Sequence, residues 1–479
     1  MKQIKRVVAA LFVLCVALVL AFGPHADVAP VKDRIIIDYW EKWTGAEADQ
    51  MLQIVDWFNQ TVGKEKGIYV RYLSMSTVNQ KTLVATAAGA PPDIAGLWDT
   101  QVAQFAATDA VIPLDELARE HGITEGYYKP VYWKGCHYRG KLYALVTNPM
   151  AVALHYNRQY FQDHAQRLRM AGLDPDRAPR TLDELDRYAQ ALDEIVRQPN
   201  GATTIRSAGY LPLEPGWYIA NTGLWFGIQP YDEATDTIQL DHPRMIQAYE
   251  WIGSYSRRLG MVATSDFRSG LGNFNSTQNP FLVDQVAMVQ QGPWMANYIE
   301  NLKPAWNRWK FSKELEKGMS VAQRKQNYVW AAAAFPSAVP GLQDVTYAAF
   351  DMMVIPRGSK HPREAFEFIA FVNRQDVMEK LCSLHCENSP LTKVSDEFIR
   401  NHPNPYIDVF ERLAASPNAQ GASPVAIWPQ IGDELTNAAT RVNLQQATAR
   451  EALADAQIRI KGDYERFKKI QRLRKEGER

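Results

Sequence analysis

The chain has 479 residues, with 53 Lys and Arg against 53 Asp and Glu, so its formal net charge at pH 7 is zero. This length predicts about two to four domains, and an ordinary hydrophobic content of 46% excludes wholesale disorder. The neutral charge argues against nucleic acid as a partner, because binding to phosphates needs a basic surface. A total of 4 Cys excludes a scaffold built from disulfides.

The N-terminus carries an export pattern. Basic residues precede an uncharged apolar run at residues 7–22, and this order is typical of a signal peptide. The run falls slightly short of the roughly 20 residues that span a bilayer. Residues 1–26 are therefore predicted to be a signal peptide cleaved near Ala26 or an uncleaved anchor, with the rest of the chain working in the periplasm or otherwise outside the cytoplasm. No later run approaches membrane-spanning length, so membrane contact is expected only through this segment or a membrane partner.

Strand and helix patterns alternate after this segment. Residues 34–40, 67–73 and 93–98 predict strands, and residues 46–61 and 77–88 predict the helices between them. This alternation predicts an α/β fold with parallel strands. Further strands are predicted at residues 286–290 and 348–356, further helices at residues 181–196 and 362–374, and a basic surface insertion at residues 301–327.

Rings and carboxylates accompany the ends of two predicted strands. Trp40, Glu41 and Trp43 come at the end of the first strand, and Trp98 and Asp99 at the end of the third. In an open parallel sheet, ligands bind at the carboxyl ends of the strands. We therefore expect these side chains at the ligand-facing edge.

Three cysteines remain once Cys15, inside the apolar run, is set aside. An odd number in an oxidising compartment predicts at least one free thiol or an intermolecular bond. Cys382 and Cys386 flank His385, which would suit a metal or redox site. A local disulfide or a pair of buried thiols is favoured instead, because a metal site needs three or four converging ligands, and Cys136 is distant in sequence.

Signatures of catalysis are missing from the sequence. It contains no phosphate-binding glycine loop, nucleophile elbow or HExxH pair, and no cofactor or metal site is predicted. Glu41, Asp99 and Asp351 are candidates for the carboxylate pair of a glycosidase, but roles as hydrogen-bond acceptors or helix caps are favoured. The sequence thus favours a binding protein. The alternative is an exported carbohydrate-active enzyme that uses Glu41 or Asp99.

Several segments in a fixed order resemble one protein family. The segments are residues 90–94 with Trp98, 110–115, 143–145, 153–161, 171–175, 179–185, 285–288, 292–294 and 355–362. Together they resemble the extracellular solute-binding proteins of the sugar-binding group that includes maltose-binding protein, the receptors of ABC importers. The resemblance runs through nearly the whole exported region.

This resemblance implies two α/β lobes of the periplasmic binding protein fold (type II-like), joined by a hinge of crossing strands, with a ligand cleft between the lobes. The crossings would fall near residues 147–153, 346–351 and 387–391. The implied division is residues 34–147 plus 350–386 for lobe 1 and residues 148–349 plus 387–479 for lobe 2.

The resemblance also implies the ligand-binding residues, which are mostly rings and carboxylates. They are Trp40, Glu41, Trp43, Trp98, Asp99, Trp217, Tyr218, Trp294, Phe350, Asp351 and Trp428. Rings cover the apolar faces of a sugar, while polar groups bind its hydroxyls. The expected partners are a sugar or oligosaccharide and the permease subunits of an ABC transporter, with the protein itself a monomer without cofactor.

Overall fold

A computed structural model of the chain describes residues 33–199, 202–308, 312–316 and 318–477. The predicted signal or anchor at residues 1–26 lies outside the described residues. The strands of the two main sheets are, in chain order, β1 (Ile35–Glu41), β2 (Ile68–Ser74), β3 (Ile94–Trp98), β4 (Leu145–Pro149), β5 (Ala153–Asn157), β6 (Met288–Gln291), β7 (Trp330–Ala333) and β8 (Phe350–Val354).

Eight longer helices pack around these sheets. They are α1 (Ala46–Gln60), α2 (Val78–Ala87), α3 (Leu182–Leu192), α4 (Pro243–Leu259), α5 (Pro362–Val372), α6 (Gln375–His385), α7 (Trp428–Asn443) and α8 (Ala449–Gly477). Shorter helices include Val102–Ala107, Pro130–Gly135, Met261–Ser269, Met295–Leu302, Val321–Lys325, Asp396–Asn401 and Ile407–Ala414, and short 3₁₀ segments include Asp99–Gln101, Ile219–Phe226 and Pro304–Asn307.

The first sheet has five strands in the order β2-β1-β3-β8-β4. Strands β1, β2 and β3 are parallel, whereas β8 runs antiparallel to both β3 and β4. The predicted bounds of the first three strands and of α1 and α2 agree with the structure to within a residue or two. The α/β prediction is confirmed. The sequence periodicity explains it, because the apolar side chains at helical spacing on α1 are buried, namely Met51, Ile54, Val55 and Phe58.

The second sheet has three strands in the order β6-β5-β7, all antiparallel. The chain enters this sheet directly from β4, through residues 150–152, and returns to the first sheet through residues 334–349. The two connections run side by side, because Met150 N–H donates to Ala349 O at 2.8 Å and Val152 N–H donates to Tyr347 O at 3.1 Å. The fold therefore has two lobes joined by adjacent crossing segments.

A third connection passes beside the first two at residues 387–391. Lys129 N–H donates to Pro390 O at 2.8 Å, and the Asn388 side chain donates to the Tyr132 hydroxyl at 2.9 Å. Tyr132 in turn donates to Met150 O at 3.0 Å, so this ring ties the first and third crossings together. The division into lobes at residues 147, 349 and 386 stays a prediction, and β4 continues to Pro149.

The helix predicted at residues 181–196 is shorter in the structure. Thr181 caps its first turn, because Thr181 Oγ1 accepts from Glu184 N–H at 3.1 Å. The reciprocal bond of a capping box, from Thr181 N–H to the Glu184 side chain, is not formed, because the Glu184 carboxylate binds Arg177 at 2.8 Å instead. The helix ends at Leu192 and is followed by a hairpin of Glu194–Arg197 with Thr203–Ser207, which the helix prediction missed.

The segment predicted as a basic surface insertion, residues 301–327, is only partly on the surface. Trp306 is buried and packs edge-on against Phe281, with ring centroids 5.3 Å apart. Most of the other described side chains of the segment are at least partly exposed. One ring thus anchors the insertion to the second lobe.

Candidate ligand-binding cleft

A cavity of about 490 Å³ lies between the two lobes, against the crossing segments. This volume lies within the range of pockets that bind small molecules. Its lining combines rings, amides and carboxylates from both lobes: Trp98, Asp99, Thr100, Asn148, Met150, Trp217, Tyr218, Ala220, Asn221, Trp294, Tyr347, Ala349, Phe350, Asp351, Glu387, Trp428, Gly432 and Thr436.

The ends of secondary structure elements place the rings and carboxylates in this lining. Trp98 and Asp99 stand at the carboxyl end of β3, where an open sheet presents ligand-binding residues. Phe350 and Asp351 begin the antiparallel neighbour β8, so they lie at the same edge, and Asp351 is paired in register with Trp98. Trp428 begins α7, which packs against α4 and the 3₁₀ segment Ile219–Phe226. The cavity thus receives side chains from both sides.

Two of the tryptophan rings are unusually exposed. Trp98 is 41% exposed and Trp217 is 51% exposed, although tryptophan is among the more highly buried residue types on average. Trp217 lies beside Trp294, with ring centroids 6.3 Å apart and planes inclined by 35°. Open faces of several rings around one cavity suit a flat, CH-rich ligand surface.

Three residues that line the same cavity have polar atoms without a hydrogen-bond partner among the described residues. Within the described residues, the buried atoms Glu387 Oε2, Asn148 Oδ1 and Trp294 Nε1 make no hydrogen bond, and all three residues line the cavity. Asn148 does donate to Glu387 Oε1 at 3.3 Å. Buried polar atoms are nearly always paired, so acceptors and a donor that remain free at a cavity wall are groups that a ligand would pair.

Behind the wall, a buried ion network holds Asp351. Lys42 Nζ lies 3.1 Å from Asp351 Oδ1 and 3.1 Å from Glu41 Oε1. Trp43 Nε1 donates to Asp351 Oδ2 at 2.9 Å, and Tyr39 donates to Glu41 Oε2 at 2.5 Å. Asp351 is therefore oriented from the rear by a lysine and an indole, which fixes the direction of its carboxylate.

Three of the eleven predicted ligand-binding residues do not line this cavity. Glu41 is fully buried and turned towards Tyr39 and Lys42, and a Cβ on Gly96 would overlap its carboxylate. Trp43 supports Asp351, and Trp40 packs at the edge of the core of the first lobe. Direct contact of these three with a ligand stays a prediction. The structure brings the other eight together.

Burial governs the protonation of the carboxylates in the lining. Burial raises the pKa of Asp99 to about 7, despite hydrogen bonds that oppose the shift. Burial, followed by the charge of Asp351, raises the pKa of Glu387 well above its usual value. Burial would lower the pKa of Lys42, but Asp351 and Glu41 outweigh it and raise that pKa.

The predicted site residues omitted several polar groups of the cavity, chiefly Asn148, Asn221, Tyr347 and Glu387. Asn148 and Glu387 lie in the predicted crossings at residues 147–153 and 387–391, so the rule that crossing strands pass the cleft could have found them. Their contact joins positions 239 residues apart. No local pattern marks such a pair.

The three cysteines of the described residues form neither a disulfide nor part of a metal-binding group. Cys136, Cys382 and Cys386 are free and buried, as in the buried-thiol alternative. His385 packs edge-on against Trp43 with centroids 4.8 Å apart, and burial lowers its pKa to about 4. Across the described part of the chain, no group of three or more His, Cys, Asp or Glu side chains is arranged to hold a metal ion.

A larger cavity of about 940 Å³ shares Asp99 and Thr100 with the first. Its described lining comes mainly from residues 130–137, 227–234 and 415–424 and contains no tryptophan. Nor does it include any of the unpaired buried atoms described above. The smaller cavity therefore has the chemistry of a ligand site.

Comparison with known proteins identifies the family. A profile of the family described as bacterial extracellular solute-binding protein matches residues 53–404. The chain belongs to this family. The solute-binding proteins of this family are binding proteins and not enzymes, and they act outside the cytoplasm. None of the helices in the described ranges is long and apolar enough to cross a membrane.

Solved structures share the fold of this solute-binding protein. CpMnBP1, solved with mannobiose bound, is 23% identical with a TM-score of 0.70, covering 89% of this chain and 99% of its own. The sugar-binding protein MalE from Xanthomonas citri is 18% identical with a TM-score of 0.69, covering 91% and 99%. The GacH receptor of Streptomyces glaucescens, solved unliganded and with acarbose, is 18% identical with a TM-score of 0.63, covering 89% and 97%. A comparison with curated proteins finds no match.

Proposed function

We propose that the protein is the receptor subunit of an ABC importer, which binds a sugar or oligosaccharide between its lobes and delivers it to the permease. One observation carries the proposal: open indole faces and unpaired polar atoms surround one cavity between the lobes. Rings cover the faces of a sugar, and the free acceptors and donor bind its hydroxyls. Relatives of the same fold have been solved with mannobiose and with acarbose bound, which supports this class of ligand.

The proposed contacts are of two kinds. Trp98, Trp217, Trp294 and Trp428 would cover ligand faces, with Tyr218 and Phe350 completing the apolar walls. Asp99, Asp351 and Glu387 would form hydrogen bonds with hydroxyls, and each such bond contributes about 1.5–3 kcal/mol where the carboxyl group is charged. Trp40, Glu41 and Trp43 would support the site from behind or contact a larger ligand.

A thermal-shift screen against mono- and oligosaccharides tests the proposal. A sugar present at about 100 times its Kd stabilises the folded protein by about 2.7 kcal/mol. The matched control is Trp294→Ala, which should show a smaller shift at the same concentration of the same sugar because its affinity is lower. A panel without any shift, covering gluco-, manno- and galacto-configured sugars, would contradict the proposal.

The proposed receptor carries out no chemistry on its ligand. Glu41, the candidate acid of a glycosidase, is fully buried and bonded to Tyr39 and Lys42. Asp99 has a raised pKa suited to an acid, so the enzyme alternative is tested at that residue. Purified protein incubated with mixed oligosaccharides should leave the product profile unchanged. New products that disappear in Asp99→Asn would favour the enzyme.

The proposed location is the periplasm or the outer face of the membrane, reached through the segment at residues 1–26. Cell fractionation should find the protein outside the cytoplasm, and mass spectrometry of its N-terminus separates cleavage near Ala26 from an intact anchor. A full-length cytoplasmic pool would contradict export.

The receptor is further proposed to act as a monomer, which sedimentation measures directly.

A further inference from the structure

A further cavity, of about 470 Å³, shares Trp217 with the ligand cleft and is distinct from the cavity of about 940 Å³. It is here called the second cavity. Trp217 lines both cavities. Its ring lies beside Trp294 of the cleft, with centroids 6.3 Å apart, and it also contacts Phe274 of the second cavity edge-on, with centroids 5.8 Å apart. The half-exposed Trp217 therefore connects a ring of the cleft with a ring of the second cavity.

Tyr298 is the second link between the cavities. It lines the second cavity, and its pKa is raised to about 12 by burial, then by the charge of Glu47 and last by that of Glu387, a residue of the cleft. The phenol is thus protonated at neutral pH. Its hydroxyl makes no hydrogen bond in the described ranges, and the side chain is partly buried. The second cavity therefore has a protonated hydroxyl without a partner among the described residues, on a side chain that the charge of Glu387 in the cleft reaches.

The walls of the second cavity are polar and outward-facing. Asn273 and Asn275 are exposed, and their side-chain amides have no hydrogen-bond partner among the residues that the structure describes. Arg268 and Glu214 form an ion pair at 2.6 Å, and Arg268 also donates to Leu213 O at 3.1 Å. The pair is held rigidly while its remaining donors and acceptors stay available. Amides and a fixed guanidinium around one ring match the hydroxyl rim and apolar face of a sugar unit.

We infer that the second cavity is an extension of the ligand cleft, which binds additional units of an oligosaccharide leaving the cleft over Trp217. The inference rests on the proposed function and narrows it to a ligand longer than a disaccharide. The units in the cleft contact both lobes, whereas the added units contact only the second lobe. Chain length therefore changes affinity through Trp217, Asn273 and Tyr298.

Calorimetry on the full chain with manno- and malto-oligosaccharides, from the disaccharide to the hexasaccharide, tests this inference. Affinity for the configuration that binds should rise about tenfold or more from the disaccharide to the longer members, the equivalent of about 1.4 kcal/mol. Asn273→Ala combined with Tyr298→Phe should remove most of that gain and leave disaccharide affinity unchanged. Asn401→Ala, an exposed asparagine away from the cleft, is the matched control and should alter neither.

The outcomes separate the inference from the proposed function. Disaccharide binding that is weakened in Trp294→Ala, together with equal affinity of the parent for every chain length, would overturn the extension and leave the sugar receptor standing. Equal weakening of all lengths by the double variant would also overturn it, because the residues would then act on the cleft itself. A lack of binding by the whole series would overturn the proposed function and this inference with it.

Discussion

At the residue scale, Trp294 and Trp57 allow a direct contrast between a binding ring and a packing ring. Trp294 lines the cleft with an unpaired indole nitrogen. Trp294→Ala should weaken sugar binding by about 1–3 kcal/mol, borrowing the scale of a lost stacked ring and hydrogen bond. Calorimetry measures the loss. An affinity equal to that of the parent would remove Trp294 from the site and make Trp217 the next candidate.

Trp57→Ala should have the opposite effect. Trp57 lies on α1 and packs edge-on against Phe371, with centroids 5.4 Å apart, but its ring is partly exposed. Truncation should therefore cost less than the roughly 3–5 kcal/mol of a fully buried tryptophan. Chemical denaturation should show the lower stability, with sugar affinity of the folded fraction unchanged. A weakened affinity would mean that α1 contributes to the cleft.

Asp99 gives the site a pH dependence whose sign follows from its burial. Burial raises its pKa from an ordinary value of 3.8 to about 7 in the folded state, so the folded state holds the proton more tightly than the unfolded state. This contribution to the free energy of unfolding is full below about pH 4, falls between about pH 4 and pH 7, and is lost above. Its size is on the order of 4 kcal/mol at most.

Asp99→Asn should flatten that part of the stability profile. Denaturation midpoints of parent and variant, measured between about pH 4 and pH 8, should converge at low pH and separate as pH rises, with the variant relatively more stable at neutral pH. Asp49→Asn, on the exposed side of α1, is the matched control. Parallel profiles for parent and Asp99→Asn would show that Asp99 does not titrate in this range.

At the element scale, a buried ion pair fixes the third crossing. Lys129 Nζ lies 2.7 Å from Glu411 Oε2, and it also donates to Leu391 O at 3.0 Å. Glu411 in turn accepts from Ser389 N–H at 2.5 Å. The pair thus joins the start of helix Pro130–Gly135, the crossing segment and helix Ile407–Ala414.

Lys129→Met should therefore destabilise the fold by about 3–5 kcal/mol, because it leaves a nearly buried carboxylate unpaired. The double variant Lys129→Met/Glu411→Leu should recover most of that loss, since no buried charge remains. Lys134→Met, which breaks the exposed pair with Glu233, should cost less than about 1 kcal/mol. Urea denaturation measures all three. A small effect of Lys129→Met would mean that the crossing is held by its backbone bonds alone.

Local patterns account for much of the element-level prediction. The first strand begins with a run of β-branched residues, and α1 has apolar residues at helical spacing, so both were predictable without tertiary information. The helix at residues 181–196 was predicted too long because its last turn carries Glu194, Ile195 and Val196, which pair with a strand beyond the Pro-Asn-Gly sequence at residues 199–201. The Pro-Asn-Gly sequence and the β-branched residues Ile195 and Val196 were the sequence signals for a hairpin.

The candidate site likewise contains residues that the sequence predicts and residues that it does not. Trp98 and Asp99 were predictable because they end a parallel strand, and the resemblance supplied Trp294 and Trp428. Glu387 and Asn148 meet only because two crossings from distant parts of the chain lie side by side. Glu41 looked equivalent to Asp99 in sequence, yet strand register turns it into the core. Which carboxylate reaches the cavity depends on packing that no local pattern contains.

At the scale of the whole molecule, the cavity wall is divided between the lobes. Trp98 and Asp351 belong to the first sheet, whereas Trp217, Trp294 and Trp428 lie in segments predicted for the second lobe. The lobes are joined by adjacent crossing segments, so they can rotate as rigid bodies about residues 150–152 and their neighbours. A ligand that contacts both walls binds the closed arrangement more tightly and shifts the population towards it.

Small-angle scattering measures this closure directly. The radius of gyration of the purified protein should fall when the cognate sugar is added at saturation, because rotation about the crossings brings the two lobes together. Trp294→Ala at the same sugar concentration should show a smaller fall, since its weaker affinity lowers the fraction of protein that is bound, and raising the sugar to saturate the variant should restore the full fall. A radius that stays constant in the parent at confirmed saturation would mean that the sugar enters a rigid pocket, and the two lobes would then serve to build the cleft and not to close it.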